Sequence, residues 1–143
     1  LPALVEIEKR VHVSPWSLQA FEGELAKDYS RVWVLTDDET DAIIAGYIVF
    51  WELLDNCQVL NLAVDLSFRG CGLAKLLVRE AARSGIRKGL RFMNLEVRVS
   101  NQPAIQLYQG LGFAILAVRK NFYSNSEDAY QMRLALEEDG VRF

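Results

Sequence analysis

Apolar residues recur along this chain with two alternating periods, about 3.6 and about 2, which separate helices from half-buried strands. Residues 1–11 place Leu4, Ile7 and Val11 at helical spacing with Pro2 in the first turn, which predicts a helix. Ser14-Pro15 predicts a second helix, serine as its cap and proline at its first position, running to about Ala26. Trp16 reads there as a core or staple residue rather than a substrate contact. Strands are predicted over 31–36, 42–53 and 58–64, and Asp37-Asp38-Glu39-Thr40-Asp41 reads as a solvated hairpin tip. A helix follows with Leu73, Leu76, Leu77 and Ala81 on one face, ending near Gly85 or Gly89. Next come a strand over 92–97 bearing Glu96 amid apolar neighbours and a helix opened by Asn101-Gln102-Pro103-Ala104. That helix has Ser100 or Asn101 as cap, uses Ile105, Leu107, Tyr108 and Leu111 on its inner face, and is stopped by Gly112. Strands over 113–118 and 128–136 and a polar tail complete the order α-α-β-β-β-α-β-α-β-β, an α/β layer fold on a mostly antiparallel sheet.

Composition narrows the function classes. The chain has 143 residues, 51% of them hydrophobic and 24% charged, which suits one globular domain over 1–143 with a single core. With a net charge of −3 and no basic run beyond two residues, it lacks the electrostatic footprint of a nucleic-acid binder. Its apolar runs are too short to span a membrane, so no membrane partner is expected. Cys57, Cys71 and the one histidine, His12, cannot build an ordinary zinc site, so no metal is expected. A disulfide between the two cysteines would constrain the glycine turn around Cys71, and the reduced, cytoplasmic setting is the better expectation.

That turn is the most informative stretch. An apolar strand runs to Val64, Arg69-Gly70-Cys71-Gly72 follows, and the helix starts at once. Two glycines free the backbone to point consecutive N–H groups outward, and the helix behind adds unpaired N–H groups and a positive dipole end, so the junction suits an anion. Lys75 stands where a dinucleotide fingerprint needs its third glycine, and no Gly-Lys-Ser/Thr string of the Walker type exists. What remains is Arg/Gln-x-x-Gly-x-Gly/Ala, filled by Arg69, Gly72 and Ala74.

Four blocks then coincide in order: Ser14-Pro15-Trp16-Ser17, the strand and glycine turn of 62–74, the stretch from Leu95-Glu96-Val97-Arg98 through Asn101 and Leu107-Tyr108 to Leu111-Gly112-Phe113, and Arg119, Phe122-Tyr123, Glu127-Asp128-Ala129 and Met132. With these the chain resembles the RimI-type ribosomal-protein alanine N-acetyltransferases, a branch of the GNAT superfamily, over nearly its whole length. The resemblance implies the GNAT fold, a mostly antiparallel mixed sheet flanked by helices, whose first strand would fall before Leu1. It implies acetyl-CoA as cosubstrate. The backbone of Leu62, Ala63 and Val64 would pair with the pantetheine arm and polarise the thioester carbonyl. The N–H groups of Gly70, Cys71, Gly72, Leu73, Ala74 and Lys75 would cradle the pyrophosphate, with Arg69 supporting the loop. Cys71 departs from the basic or polar residues common at its position, which removes one phosphate contact. Asn101 would bond the pantetheine region, or serve only as helix cap.

By the same resemblance Glu96 is the general base and Tyr108 the general acid. An α-amino group with a pKa near 7.8 is already neutral in roughly a tenth of molecules at pH 7, so one carboxylate raised by burial suffices. The competing reading pairs Glu96 with Arg98 or a strand neighbour in a salt bridge. A phenol near pKa 10 facing a thiol near 8.5 makes complete proton transfer uphill by roughly 2 kcal/mol, so Tyr108 serves as much by a hydrogen bond to the departing thiolate. Tyr123, Glu127 and Asp128 are expected near the acceptor, and the lone His12 on the helix surface. The implied reaction is acetylation of a protein N-terminal α-amino group, that of an alanine of a ribosomal protein. Acetylation of a lysine or small-molecule amine, or a non-catalytic CoA-binding module, stand as alternatives; residues alone do not give the oligomeric state.

Overall fold

The computed structural model describes residues 1–12, 14–36 and 43–137. The acidic stretch Asp37–Asp41 and residues 138–143 of the polar tail lie outside the described residues. Among the described residues eleven elements follow in chain order: α1 (Pro2–Val11), α2 (Leu18–Leu25), β1 (Ser30–Thr36), β2 (Ile44–Leu53), β3 (Asn56–Val64), a 3₁₀ turn (Leu66–Phe68), α3 (Leu73–Arg87), β4 (Phe92–Arg98), α4 (Gln102–Gly110), β5 (Ala114–Arg119) and β6 (Ala129–Ala135). The six strands form one sheet in the order β1-β2-β3-β4-β6-β5. β1–β2, β4–β6 and β5–β6 are antiparallel, and β3 runs parallel to β4 through Asn56↔Phe92, Cys57↔Met93 and Gln58↔Asn94. The α/β layer fold with a mostly antiparallel sheet is therefore as the periodicities predict; only the 3₁₀ turn was not foreseen.

One expectation needs correction. The second helix is capped by Ser17, whose hydroxyl accepts from the Ala20 amide at 3.1 Å, and begins at Leu18 rather than at Pro15. Two contacts keep the chain out of the helix until then. The Trp16 amide donates to the Glu8 carboxylate at 2.9 Å, and the Trp16 ring packs on Phe21 with centroids 5.2 Å apart. Trp16 and Phe21 stand just before the cap and four residues after it, the arrangement of a hydrophobic staple.

The chain divides into two compact units, Leu1–Trp51 with Leu60–Glu80, and Glu52–Val59 with the described chain from Ala81 on. In the first, Leu4, Ile7, Phe21, Tyr47, Val49 and Ala63 form a core against which Trp16 and Leu60 pack. Gly46 is required there, because a Cβ at that position would lie 2.7 Å from the Ala63 carbonyl oxygen of β3. Glu8 is completely buried in this unit. Its carboxylate accepts from the Tyr47 hydroxyl at 2.5 Å, the Asn61 side-chain amide and the Trp16 amide, so α1 is tied to β2, β3 and the segment before α2. In the second unit Met93, Leu95 and Val97 of β4, Ile105, Leu111 and Phe113, and Met132 and Leu134 of β6 are buried. The Cys57 thiol is also buried, which pushes its pKa up to about 12. β5 is one of the two edge strands of the sheet, and all six of its residues are exposed.

Candidate active site

In the first unit, β3 carries Leu62, Ala63 and Val64 and delivers the chain into the 3₁₀ turn through Asp65. Asp65 is heavily committed. Its amide donates to the Ala45 carbonyl at 2.8 Å, and its Oδ1 accepts from the Leu66 amide at 2.9 Å. The Arg10 guanidinium donates to both carboxylate oxygens at 2.9 and 2.8 Å and holds the Asp65 carboxyl below its usual range. This junction fixes where Arg69 and the glycines begin. Gly70 (φ 85°) and Gly72 (φ 73°) are both left-handed, and a Cβ on either would meet nothing within 4 Å. Glycine is needed here for conformation, and the space over both residues is open. The Leu76 amide donates to the Gly72 carbonyl at 3.1 Å as the helix begins. The N–H groups of Leu73, Ala74 and Lys75 thus belong to the first turn of α3, which has no intrahelical acceptors for them. Arg69, Gly70, Cys71, Gly72 and Lys75 are exposed. An exposed glycine turn running into a helix start whose N–H groups lack intrahelical acceptors fits an anionic, phosphate-bearing cofactor.

In the second unit, β4 presents Glu96 with its side chain 13% exposed. Gln58 Nε2 donates to Oε2 at 2.8 Å, and Arg119 Nε lies 3.7 Å from Oε1. The salt-bridge partner is therefore Arg119 at the end of β5. Arg98 instead pairs with Glu127, Nη1 to Oε1 at 3.0 Å. Burial raises the Glu96 pKa against the opposing pull of Arg119 and Gln58. A carboxylate so placed is a better proton acceptor than one in water.

Tyr108 faces inward on α4, 8% exposed, its ring 5.6 Å from that of Phe113. Burial, with Tyr123 adding to it, raises its pKa above that of an ordinary phenol. Tyr123 is itself pushed up to about 12 by burial, with Glu96 and Glu127 adding and Arg98 opposing. Asn101 caps α4, its Oδ1 accepting from the Ala104 amide at 3.3 Å. That bond engages the oxygen and leaves the Nδ2 donors for other work. Sequence reading gave no role to Gln58, Arg119, Glu8 or Asn61. Arg119 stood only as part of the last block of the resemblance, and Glu8 left a signal as a charged residue inside the apolar stripe of α1 between Leu4, Ile7 and Val11.

The class follows from this fold together with one comparison: residues 1–113 match the acetyltransferase (GNAT) family, and the chain belongs to that family. It is an acetyl-CoA-dependent N-acetyltransferase. Among its relatives, the [ribosomal protein bS18]-alanine N-acetyltransferase of Salmonella typhimurium (strain LT2) is 34% identical over 139 residues, 95% of this chain and 91% of that protein. The crystal structure of the ribosomal-protein-S18-alanine N-acetyltransferase from Escherichia coli matches with a TM-score of 0.85 at 31% identity, covering 99% of this chain and 92% of that one. The NatC complex bound to Gag peptide and CoA matches with a TM-score of 0.79 at 26% identity, covering 95% and 90%. Among the described residues no helix is long and apolar enough to cross a membrane.

Proposed function

We propose that this chain, as a single catalytic domain over 1–143 acting in the cytoplasm, acetylates the N-terminal α-amino group of a ribosomal protein that begins with alanine. The relatives above, named for that activity, support the acceptor. The observation that carries the chemistry is Glu96, a mostly buried carboxylate whose pKa is raised.

When bound, acetyl-CoA supplies a thioester that an amine attacks directly, releasing a thiolate. The backbone of Leu62, Ala63 and Val64 holds the pantetheine arm by strand-like pairing, with one N–H polarising the carbonyl. The amides from Gly70 to Lys75, with Arg69 behind them, hold the pyrophosphate. Asn101 caps its helix through Oδ1 and binds the cofactor through Nδ2, so its two readings coexist. Glu96 takes the proton that the α-ammonium loses, directly or through water, and an amine with a pKa near about 7.8 asks only a modest base. Tyr108 presents its hydroxyl to the developing sulfur charge. Because burial pushes the phenol further up, its part is a strong hydrogen bond more than a completed proton transfer.

The test is acetyl transfer to peptides with alanine, serine, methionine or blocked N-termini. Acetylation of the free alanine terminus is expected, with mass spectrometry placing the group on the α-nitrogen. Modification of lysine on blocked peptides, with free termini untouched, would overturn the acceptor assignment.

A further inference from the structure

The turn between β2 and β3 breaks two local rules at once. Leu54 at its tip is left-handed (φ 56°) without being glycine, a conformation that glycine or asparagine tolerates far better than a bulky apolar residue. It is also 94% exposed, and its neighbour Leu53 is 42% exposed. A lone exposed leucine is ordinary. A strained one gains nothing for the isolated chain, and a residue of that kind points to a role outside the stability of its own fold.

The same end of the second unit carries a recess. Its volume is about 240 Å³, and Ile86, Leu90, Phe92 and Leu136 line it together with Arg91 and Glu137. Backbone bonds bring the turn beside it. The Arg91 amide donates to the Asp55 carbonyl at 2.6 Å, and the Leu136 amide donates to the Arg91 carbonyl at 2.8 Å. Asn56 at the start of β3 pairs with Phe92 at the start of β4. Leu54 thus stands next to a hollow roomy enough for a leucine side chain. Phe92 and Glu96 are four residues apart on β4, about 13 Å at about 3.3 Å per residue, so whatever docks here stands apart from the proposed base.

The charges around the turn are of both signs and loosely paired. The Arg91 side chain is 68% exposed and that of Asp55 49%, and Nη1 lies 3.7 Å from Oδ2, beyond the reach of about 2.7–2.9 Å that a tight charge-assisted bond shows. Asp55 Oδ1 accepts from Asn56 Nδ2 at 2.8 Å, which leaves Oδ2 for a cation. A surface that holds a knob, a hollow, an acid and a base side by side carries its own complement, and such a surface closes on a second copy about a two-fold axis. We propose that this end of the second unit is a homodimer contact, in which Leu54 of each copy enters the recess of the other and Asp55 of each meets the other's Arg91. A different protein would call for only one half of this set, and the presence of both halves selects a second copy. The contact is independent of the acetylation reading above.

Sedimentation velocity over a concentration series reaching about 1 mM, the weak end of specific association, should show a reversible dimer for the unmodified chain. Leu54→Asn suits the left-handed turn better than leucine does and removes the knob. It should raise the dimer dissociation constant by about tenfold or more, while the Tm of the dilute, monomeric chain does not fall. Asp55→Arg and Arg91→Glu should each weaken self-association by setting like charges against one another. An equimolar mixture of these two variants should dimerise, because both of its charge contacts then join opposite signs. Breaking the Asp55–Arg91 pair within one chain accounts for a loss in either variant alone but not for recovery on mixing. An unmodified chain that stays monomeric throughout the series, as it would with its own residues 138–143 or a different protein in the recess, would overturn the proposal. So would undiminished dimerisation of Leu54→Asn, or a mixture of the charge variants that forms no mixed dimer.

Discussion

Glu96 is governed by two opposed influences. Burial raises its pKa, and Arg119 with Gln58 draws it back. As the proposed base it must be ionised, so activity should rise with pH through its pKa. Replacing Arg119 by glutamine removes the first of the two lowering influences, so the acid limb of kcat/KM should move to higher pH. The peptide amine titrates near about 7.8 with either enzyme, so the difference between the two profiles reports Glu96 itself. Glu96→Gln and Tyr108→Phe should each lower kcat by about 10²-fold in steady-state assays at saturating peptide. Normal turnover in both variants would leave the acid–base assignment without support.

Between elements, the approach of β2 to β3 is set by a single missing side chain. A Cβ at Gly46 would press on the Ala63 carbonyl oxygen at 2.7 Å and on Val64 at 3.3 Å, and backbone atoms yield less readily than the tip of a side chain. Gly46→Ala should therefore displace residues 62–64, lowering stability by about 1–3 kcal/mol and raising the KM for acetyl-CoA. Thermal unfolding and initial-rate kinetics would read the two effects. A similar economy governs α2, where Ser17 and the Trp16–Phe21 staple start the helix. Pro15 is acceptable in a first helical turn, but the bond from the Trp16 amide to Glu8 fixes the chain differently.

On the scale of the whole molecule, a small acidic chain spends several polar groups inside its fold, and Glu8 is the most consequential. It holds α1, β2 and β3 of one unit together. Glu8→Ala would strand the Tyr47 hydroxyl, the Asn61 amide and the Trp16 N–H, and should cost about 3 kcal/mol or more. Urea unfolding measures that loss, and a change below about 1 kcal/mol would mean that water or a rearranged partner replaces the carboxylate. In the other unit the strand order β4-β6-β5 places β6 between the strands that carry Glu96 and Arg119. β6 pairs along all of β4, from Phe92↔Ala135 to Arg98↔Ala129, so the loop before β6 arrives beside Arg98.

The sequence by itself determined the order and kind of the elements, because helix and strand periods are local properties of neighbouring residues. It also determined the glycine turn, where two left-handed positions demand glycine, and the Asn101 cap, while Glu96 and Tyr108 were singled out only by the resemblance to a family. Which side chains meet was decided only by the tertiary structure. Periodicity says which face of a strand is apolar but not which strand lies beside it. The neighbours of Glu96 are Gln58, 38 residues away in sequence, and Arg119 on the edge strand rather than the adjacent Arg98. Glu8 in its apolar stripe hinted at a buried carboxylate, yet its donors come from residues up to 53 positions away. Those partners oppose the rise in the Glu96 pKa and tie α1 to β2 and β3, because electrostatics and hydrogen bonds act through space.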